Sequence, residues 1–316
     1  MTPRPRPTRT ARLCAGLAAL CAGAPAAVAE PAPATQPQAV EHAPIVVSAI
    51  ERSTDAGPLR GWIATIDLAD PRVDIVVTGP HAGEPFSPDH ETTLQTVEDW
   101  AQESGVVLAV NTNFFAWLGP RDQHGAGGPA GVVGWLVTDG VQVSPPRKHE
   151  GRWDPVLAFD REGQATIARG RPDGAWDAVA GVGGSSSDAT PGTLLIEEGK
   201  LQAESARVAP LDRHPRTAAG LSEDRQTLLL LVIDGRQPGW SLGATLPETA
   251  RVLADHGAHW ALNLDGGGST TLWYDPDGPG GHDPTINRFS DKTGMRAVAA
   301  HLGVALSHDP LAEAAP

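Results

Sequence analysis

The chain has 316 residues, 38 of them acidic and 24 basic, with a net charge of −14 and two cysteines. That balance excludes nucleic acid as a partner, because phosphate backbones are held by basic surfaces. The length suits one large domain or two small ones.

Residues 1–29 read as a signal peptide. Arg4, Arg6, Arg9 and Arg12 form a basic start, Leu13 to Val28 is an apolar, alanine-rich stretch, and Ala27-Val28-Ala29 supplies the small-x-small pattern of a cleavage site. The apolar stretch is short for a membrane span and lacks a stop-transfer flank. The expectation is export with cleavage before Glu30, giving a secreted or periplasmic protein without stable membrane insertion. Cleavage takes four of the 24 basic residues and none of the 38 acids, so the net charge moves from −14 to −18. It also takes Cys14 and Cys21, leaving no disulfide, thiolate nucleophile or cysteine metal site. Residues 30–44 read as a Pro/Ala-rich linker, residues 45–307 as the folded domain and residues 308–316 as a flexible tail.

From Ile45 onward short β-type runs dominate, among them Ile45–Ile50, Trp62–Leu68 and Val73–Val77. Asp139-Gly140, between Val132–Val137 and Val141–Val143, predicts a tight hairpin, and Glu162-Gly163 and Glu198-Gly199 look similar. Two segments have helical periodicity. Thr92 to Ser104 carries Leu94, Val97, Trp100 and Ala101 on one face and stops at Gly105. Thr245 to His256 carries Leu246, Ala250, Leu253 and Ala254, with Thr245 as N-cap, Pro247 early and Gly257 as C-cap. The two segments match at a constant offset of 152, which also pairs Asn111 with Asn263 and Asn113 with Asp265. This points to an internal half-repeat of helix, glycine stop, apolar strand and polar cluster.

Leu228 to Ile233 is continuously apolar, as in a strand buried on both faces, and it runs into Asp234. Three candidate core strands thus end at Asn111, at Asp234 and at Asn263/Asp265. If they neighbour one another and run the same way, these groups converge at their carboxyl ends, where open α/β sheets bind ligands. The expected fold class is α+β: a single domain with a large twisted mixed β-sheet and few helices.

Chemistry concentrates between His214 and Leu272. His214-Pro215-Arg216-Thr217 is followed by Asp234-Gly235-Arg236, Ser241-Leu242-Gly243 and Asn263-Leu264-Asp265-Gly266-Gly267-Gly268-Ser269. Glycines after Asp265 allow close backbone approach to a ligand and expose N–H donors. Arg216 and Arg236 can offer bidentate bonds to a phosphate. Asp234 and Asp265 are two carboxylates, the pair that glycoside cleavage usually needs.

These segments resemble the phosphodiester glycosidase domain family. The elements are VNTNFF (Val110–Phe115), HPRTAAG (His214–Gly220), LLLLVIDGRQPGWSLGATLPE (Leu228–Glu248) and ALNLDGGGSTTLW (Ala261–Trp273), with a weaker INRFSD…MRAVA (Ile286–Ala299). Thr112 stands where the family often has glycine. The resemblance implies hydrolysis of the anomeric C–O bond of a sugar-1-phosphodiester, so the expected partner is a carbohydrate phosphodiester. Phosphate leaves readily, which lessens the need for a general acid. The expected roles give Asp265 and Asp234 the catalytic position and Arg216, with Arg236, the phosphate. Gly266, Gly267 and Ser269 supply donors. Asn111, Asn113, Asn263, His214, Thr217 and Ser241 complete the binding site.

Two rival readings stand beside this one. Gly239-Trp240-Ser241-Leu242-Gly243 matches the G-x-S-x-G of serine hydrolases, with His282 or His301 available for a triad, although Pro238 separates it from the apolar strand. A non-catalytic carbohydrate-binding module would keep the fold without turnover. No cofactor is required; Asp275-Pro276-Asp277-Gly278 with His282-Asp283 offers oxygen and imidazole ligands for a divalent cation such as Ca2+, but without EF-hand spacing, and solvated loop acids are the plainer reading. Trp117, Trp135, Trp240 and Trp273 are candidates to stack on sugars, and none is singled out.

Overall fold

The structure, a computed structural model, describes residues 43–80, 90–149, 152–170, 176–181, 194–202, 211–278 and 284–307. The stretch read as a signal peptide, nearly all of that read as a linker, that read as a tail, and His282 and Asp283 lie outside them. Alternating apolar and polar residues produce the long hairpin Ile45–Thr54 with Gly57–Asp67, the start of a seven-stranded sheet. The sheet continues through Thr227–Ile233, Arg216–Leu221, Trp260–Asn263, Leu194–Glu197 and Lys200–Leu201. A five-stranded sheet runs Thr285–Ile286, Leu272–Tyr274, Leu108–Asn111, His301–Leu306, Val73–Val77. Another runs Ala165–Arg169, Pro155–Phe159, Ala178–Gly181, Leu136–Thr138, Val141–Ser144, and a small one joins Thr92–Thr93, Pro129–Val132 and Phe115–Trp117.

The α+β class with few helices is as expected, but the single mixed sheet is not: the strands divide among several sheets, and their pairings among the described residues are antiparallel. Period-two alternation explains how the central strand serves two cores. Leu228, Leu230 and Val232 join a cluster shared with Leu108, Val110, Leu272 and Leu302 of the five-stranded sheet. Leu229, Leu231 and Ile233 face the other way, onto a helix that contributes Leu246, Ala250 and Leu253. Full burial of each such side chain contributes roughly 1.5–3 kcal/mol. The double-sided apolar run is therefore a central antiparallel strand.

Helix α1 (Val97–Ser104) is capped by Thr96, whose hydroxyl accepts from the Asp99 N–H at 3.1 Å, and ends at Gly105 with φ +71°. It begins later than the sequence suggests, because Thr92–Thr93 pair as a strand with Pro129–Ala130. Helix α2 (Leu246–Asp255) opens with a capping box: the Thr245 hydroxyl accepts from the Glu248 N–H (3.2 Å), and the Thr245 N–H donates to the Glu248 carboxylate (2.9 Å). It ends one residue early, with His256 as the cap. Asp139-Gly140 and Glu198-Gly199 make two-residue turns with positive φ at both residues, as predicted.

The half-repeat keeps its register. Leu108–Asn111 and Trp260–Asn263 are both strands, each after a helix, but they lie in different sheets and meet at their ends. Thr227–Ile233 and Trp260–Asn263 both run antiparallel to Arg216–Leu221, so their carboxyl ends share one edge with the start of that strand. There the two sheets are stitched together, and there the polar residues gather. No helix among the described residues is long and apolar enough to cross a membrane.

Candidate active site

Asn111 is the stitch. It is buried; its amide nitrogen donates to the Asp265 carbonyl at 2.6 Å, and its amide oxygen accepts from the Thr217 hydroxyl (2.8 Å) and the Thr271 N–H (3.0 Å). The Asp265 N–H in turn donates to the Thr112 carbonyl at 2.8 Å. One side chain thus ties the end of Leu108–Asn111 to both ends of the glycine turn and to the start of Arg216–Leu221. Asn111→Ala strands the Thr217 hydroxyl and the Thr271 N–H, at about 1–3 kcal/mol for each buried group left unpaired. The expected result is a loss of Tm with loss of activity, checked by thermal melts.

Asp265 is partly exposed at the head of this turn. Burial pushes its carboxyl up to about 7, against the Ser269 hydroxyl, the Arg296 charge and the Gly266 N–H, all of which pull it down. Among the described residues the buried Thr270 and Thr271 hydroxyls and the Asn263 amide oxygen have no hydrogen-bond partner. A carboxyl perturbed by burial where two strand ends meet marks a candidate site.

The glycines differ in use from the sequence reading. The Gly267 N–H donates to the Pro215 carbonyl at 2.9 Å and the Ser269 N–H to the Gly266 carbonyl at 3.2 Å, so these amides are committed within the protein. What the turn provides is room for guanidinium groups. Gly267 has φ +64°, and a Cβ there would lie 3.2 Å from an Arg236 nitrogen; a Cβ on Gly268 would overlap the Arg296 guanidinium and sit 2.5 Å from an Asp291 oxygen. Gly268→Ala must displace Arg296, so it is expected to cost at least tenfold in kcat/KM while the protein stays folded, checked by kinetics beside circular dichroism.

Asp234 is at the same edge in a different setting. It is 1% exposed, and its carboxylate accepts from the Trp240 indole N–H (2.7 Å), the Asn287 amide (3.0 Å) and the Arg288 N–H (3.0 Å). Burial pushes its pKa up while these donors oppose the shift. The Ser241 hydroxyl donates to the Asp234 carbonyl (2.6 Å) and accepts from the N–H groups of Arg60 (3.2 Å) and Gly243 (3.3 Å). Fully buried and spent on backbone, Ser241 is neither a nucleophile nor an open ligand contact. The serine-hydrolase reading fails on this geometry, because the strand ends at Ile233 and the segment holding Ser241 returns toward Gln237.

Arg216 is also enclosed. It is 4% exposed, and its guanidinium donates to the carbonyls of Ala244 (2.9 Å) and Asp212 (2.8 Å); burial lowers its pKa to about 10. It braces the start of its strand against the approach to α2. Arg236, with φ +59°, is exposed and donates to His214 Nδ1 at 3.3 Å. Burial and the two arginine charges lower the His214 pKa, which favours the neutral ring that this contact needs. Asn113 donates to the carbonyls of Val133 (3.1 Å) and Trp135 (3.4 Å) and is structural where it stands. Asn263 donates to the Leu264 carbonyl at 2.7 Å.

Three residues escaped the sequence reading. Arg296 pairs with Asp291 (2.7 and 3.0 Å) and bears on both Gly268 and Asp265. Asn287 accepts from the Leu272 N–H (2.8 Å) and donates to Asp234. Arg288 packs its guanidinium carbon 4.3 Å from the Trp240 ring centroid, as does Arg60. Arg296 sits in the MRAVA run and Asn287 and Arg288 in INRFSD, segments whose only signal was the weaker resemblance.

His301, the other triad candidate, is a core residue. It stacks on Trp100 (4.9 Å, 10°), and its ring nitrogens contact the Thr78 hydroxyl (2.8 Å) and the Gln95 carbonyl (3.2 Å). Burial lowers its pKa to about 3. Its contribution to stability is fully present above the unfolded-state value of about 6.5 and is lost as pH falls toward 3. His301→Gln is expected to lower Tm at pH 8 and to flatten the fall in Tm between pH 6.5 and pH 4. Among the described residues no three His, Cys, Asp or Glu side chains are gathered for a metal ion.

Residues 104–305 match the family model described as phosphodiester glycosidase. Among curated proteins, no relative matches. Among solved structures, the chain is similar to the zebrafish N-acetylglucosamine-1-phosphodiester alpha-N-acetylglucosaminidase catalytic domain, auto-inhibited by its pro-peptide. The TM-score is 0.57 at 18% identity, over 85% of each chain. It is also similar to a hypothetical protein from Synechocystis, with a TM-score of 0.55 at 16% identity, over 84% of this chain and 62% of the other. At these identities the likeness is one of fold.

Proposed function

The chain belongs to the phosphodiester glycosidase family, and from that premise we propose that it hydrolyses the anomeric carbon–oxygen bond of a sugar-1-phosphodiester, with Asp265 as its catalytic carboxylate. One observation carries the proposal: a carboxyl pushed up to about 7 by burial stands at the head of a turn on which two guanidinium groups, Arg236 and Arg296, rest against consecutive glycines. Cations beside a poised carboxylate suit a substrate that is anionic on one side of the breaking bond and becomes cationic on the other.

In this account the phosphate lies against Arg236 and Arg296. As the bond breaks, its electron pair moves to the phosphate oxygen, where the guanidinium charges stabilise it. Ionised Asp265 faces the anomeric carbon, as nucleophile or as base for water, and the oxygen of water ends on the sugar. Asp234 acts through others: it holds the Trp240 indole and the Asn287-Arg288 segment. Arg216 braces the strand that carries Thr217 to Asn111.

The acidic chain favours a substrate drawn in by local arginines over any long-range attraction to anions. The basic, apolar start supports export, so cell-envelope or capsular phosphopolymers and their fragments are the natural substrates we infer. The test is product analysis with methyl diesters of several sugar 1-phosphates. Free sugar and methyl phosphate in equal amounts are expected. Sugar 1-phosphate with free methanol would overturn the proposal.

A further inference from the structure

We propose that His214 is a positioning residue that makes the phosphate contact of Arg236 depend on pH: the neutral ring holds the guanidinium on the glycine turn, and the charged ring releases it. The inference rests on the phosphodiester reading above and deepens it, since it assigns a regulation to that site.

The backbone brings the two side chains together. His214 and Ala244 bond each other in both directions, N–H to carbonyl, at 3.2 and 3.0 Å. Two glycines press this junction against a third stretch of chain. A Cβ on Gly235 would lie 2.6 Å from the Pro215 nitrogen and 2.9 Å from the Gly243 Cα, and one on Gly243, with φ +96°, would overlap the His214 carbonyl. The Arg213 guanidinium fastens the same junction, donating to the Gly243 carbonyl (3.0 Å) and to Glu248 in the first turn of α2 (2.5 Å). Arg236 follows Gly235 directly. Its left-handed φ of +59° is uncommon outside glycine, and its N–H donates to the Leu242 carbonyl at 3.3 Å.

The chemistry of the contact makes it conditional. Among the described residues no carboxylate is paired with Arg236, whereas Arg296 has Asp291. The Arg236 guanidinium donates instead to His214 Nδ1, 3.3 Å away. A guanidinium has no lone pair to offer, so Nδ1 must be bare and Nε2 must carry the proton. A second proton turns that acceptor into a donor and sets two cations 3.3 Å apart. Burial, Arg216 on the same segment and Arg236 across from it all disfavour that proton, and Asp212 opposes them; Glu248, from α2, is engaged by Arg213. The ring is therefore neutral at pH 7 and charges only below the ordinary 6.5.

The consequence appears at the glycine turn. The Arg236 guanidinium lies where a Cβ on Gly267 would come within 3.2 Å of it, which is the place given to the phosphate. Once its acceptor becomes a like charge, the guanidinium leaves that place, and acid takes one of two cations from the phosphate.

The test measures binding of the methyl diester of N-acetylglucosamine 1-phosphate to the Asp265→Asn protein, by calorimetry at pH 7.5 and pH 5. That background removes the titration of Asp265, and the diester keeps one negative charge at both values. Affinity is expected to fall about tenfold at pH 5, through loss of one charge-assisted contact. His214→Asn places an uncharged amide oxygen where Nδ1 stood, so its affinity is expected to stay within about threefold at pH 7.5 and to be flat with pH. His214→Phe, which has no acceptor, is expected to bind about tenfold more weakly at both values, with melts showing both variants folded. Unchanged or tighter binding at pH 5 would overturn the proposal, because the His214 charge would then not displace Arg236. So would a fall that persists in His214→Asn, or equal binding by the Asn and Phe variants. No binding at either pH, with no turnover by the unmodified chain, would instead fail the phosphodiester reading and this inference with it.

Discussion

Replacing Asp265 by Asn is expected to remove hydrolysis and to make the protein more stable in alkali. The loss should be at least about 10³-fold in kcat/KM, since the neighbouring described carboxylates are engaged, Asp291 by Arg296 and Asp234 by Trp240, Asn287 and Arg288. The stability gain follows from linkage. A carboxyl raised from 3.8 to about 7 binds its proton more tightly folded than unfolded. Its favourable contribution is full below the unfolded pKa and is lost as pH rises through 7, so above that pH the ionised group opposes folding. A shift of this size sets a ceiling of about 4 kcal/mol at pH 8. Tm of the variant and the unmodified chain should therefore converge near pH 4 and separate at pH 8, with the inactive protein higher. Asp234→Asn differs, although burial raises that carboxyl too. It disturbs a buried acceptor of three hydrogen bonds, so it should lower Tm at pH 8, with whatever activity it costs lost through Trp240 and Arg288.

Arg296→Ala is the second large effect, about 10²–10³-fold in kcat/KM, because on the proposed reading it removes a charge-assisted contact to the leaving phosphate. It carries a marker that simple loss of binding lacks. The Arg296 charge holds the Asp265 pKa down, so without it that pKa rises. In the unmodified enzyme, kcat/KM should climb with pH through an ionisation near 7; in Arg296→Ala the same limb should move to higher pH. A lowered but unshifted profile would mean that Arg296 does not act on Asp265.

The parts legible in the sequence were those set by local pattern. The N-cap at Thr245, the tight turns at Asp139-Gly140 and Glu198-Gly199 and the two-faced run Leu228–Ile233 each follow from neighbouring residues. The half-repeat was legible because Asn111 and Asn263 keep one register on strands that end at one edge. Sheet membership was not, because strands with the same alternation pair equally well on paper. Nor could sequence separate Asp234 from Asp265, which are both Asp-Gly after an apolar strand. Their difference lies in Trp240, Asn287 and Arg288, brought to one and not the other by the tertiary fold. For the same reason Arg216, beside a conspicuous motif, drew the phosphate role, while Arg296 reaches the turn from a segment with little signal of its own.

The most direct measurement is the fate of oxygen from water. The chain would be given the methyl diester of N-acetylglucosamine 1-phosphate in oxygen-18 water, and the products weighed by mass spectrometry. The account predicts label on the anomeric oxygen of the released sugar and none in methyl phosphate. Label in the phosphate would mean that phosphorus, not the anomeric carbon, is attacked, and the role given to Asp265 would be wrong.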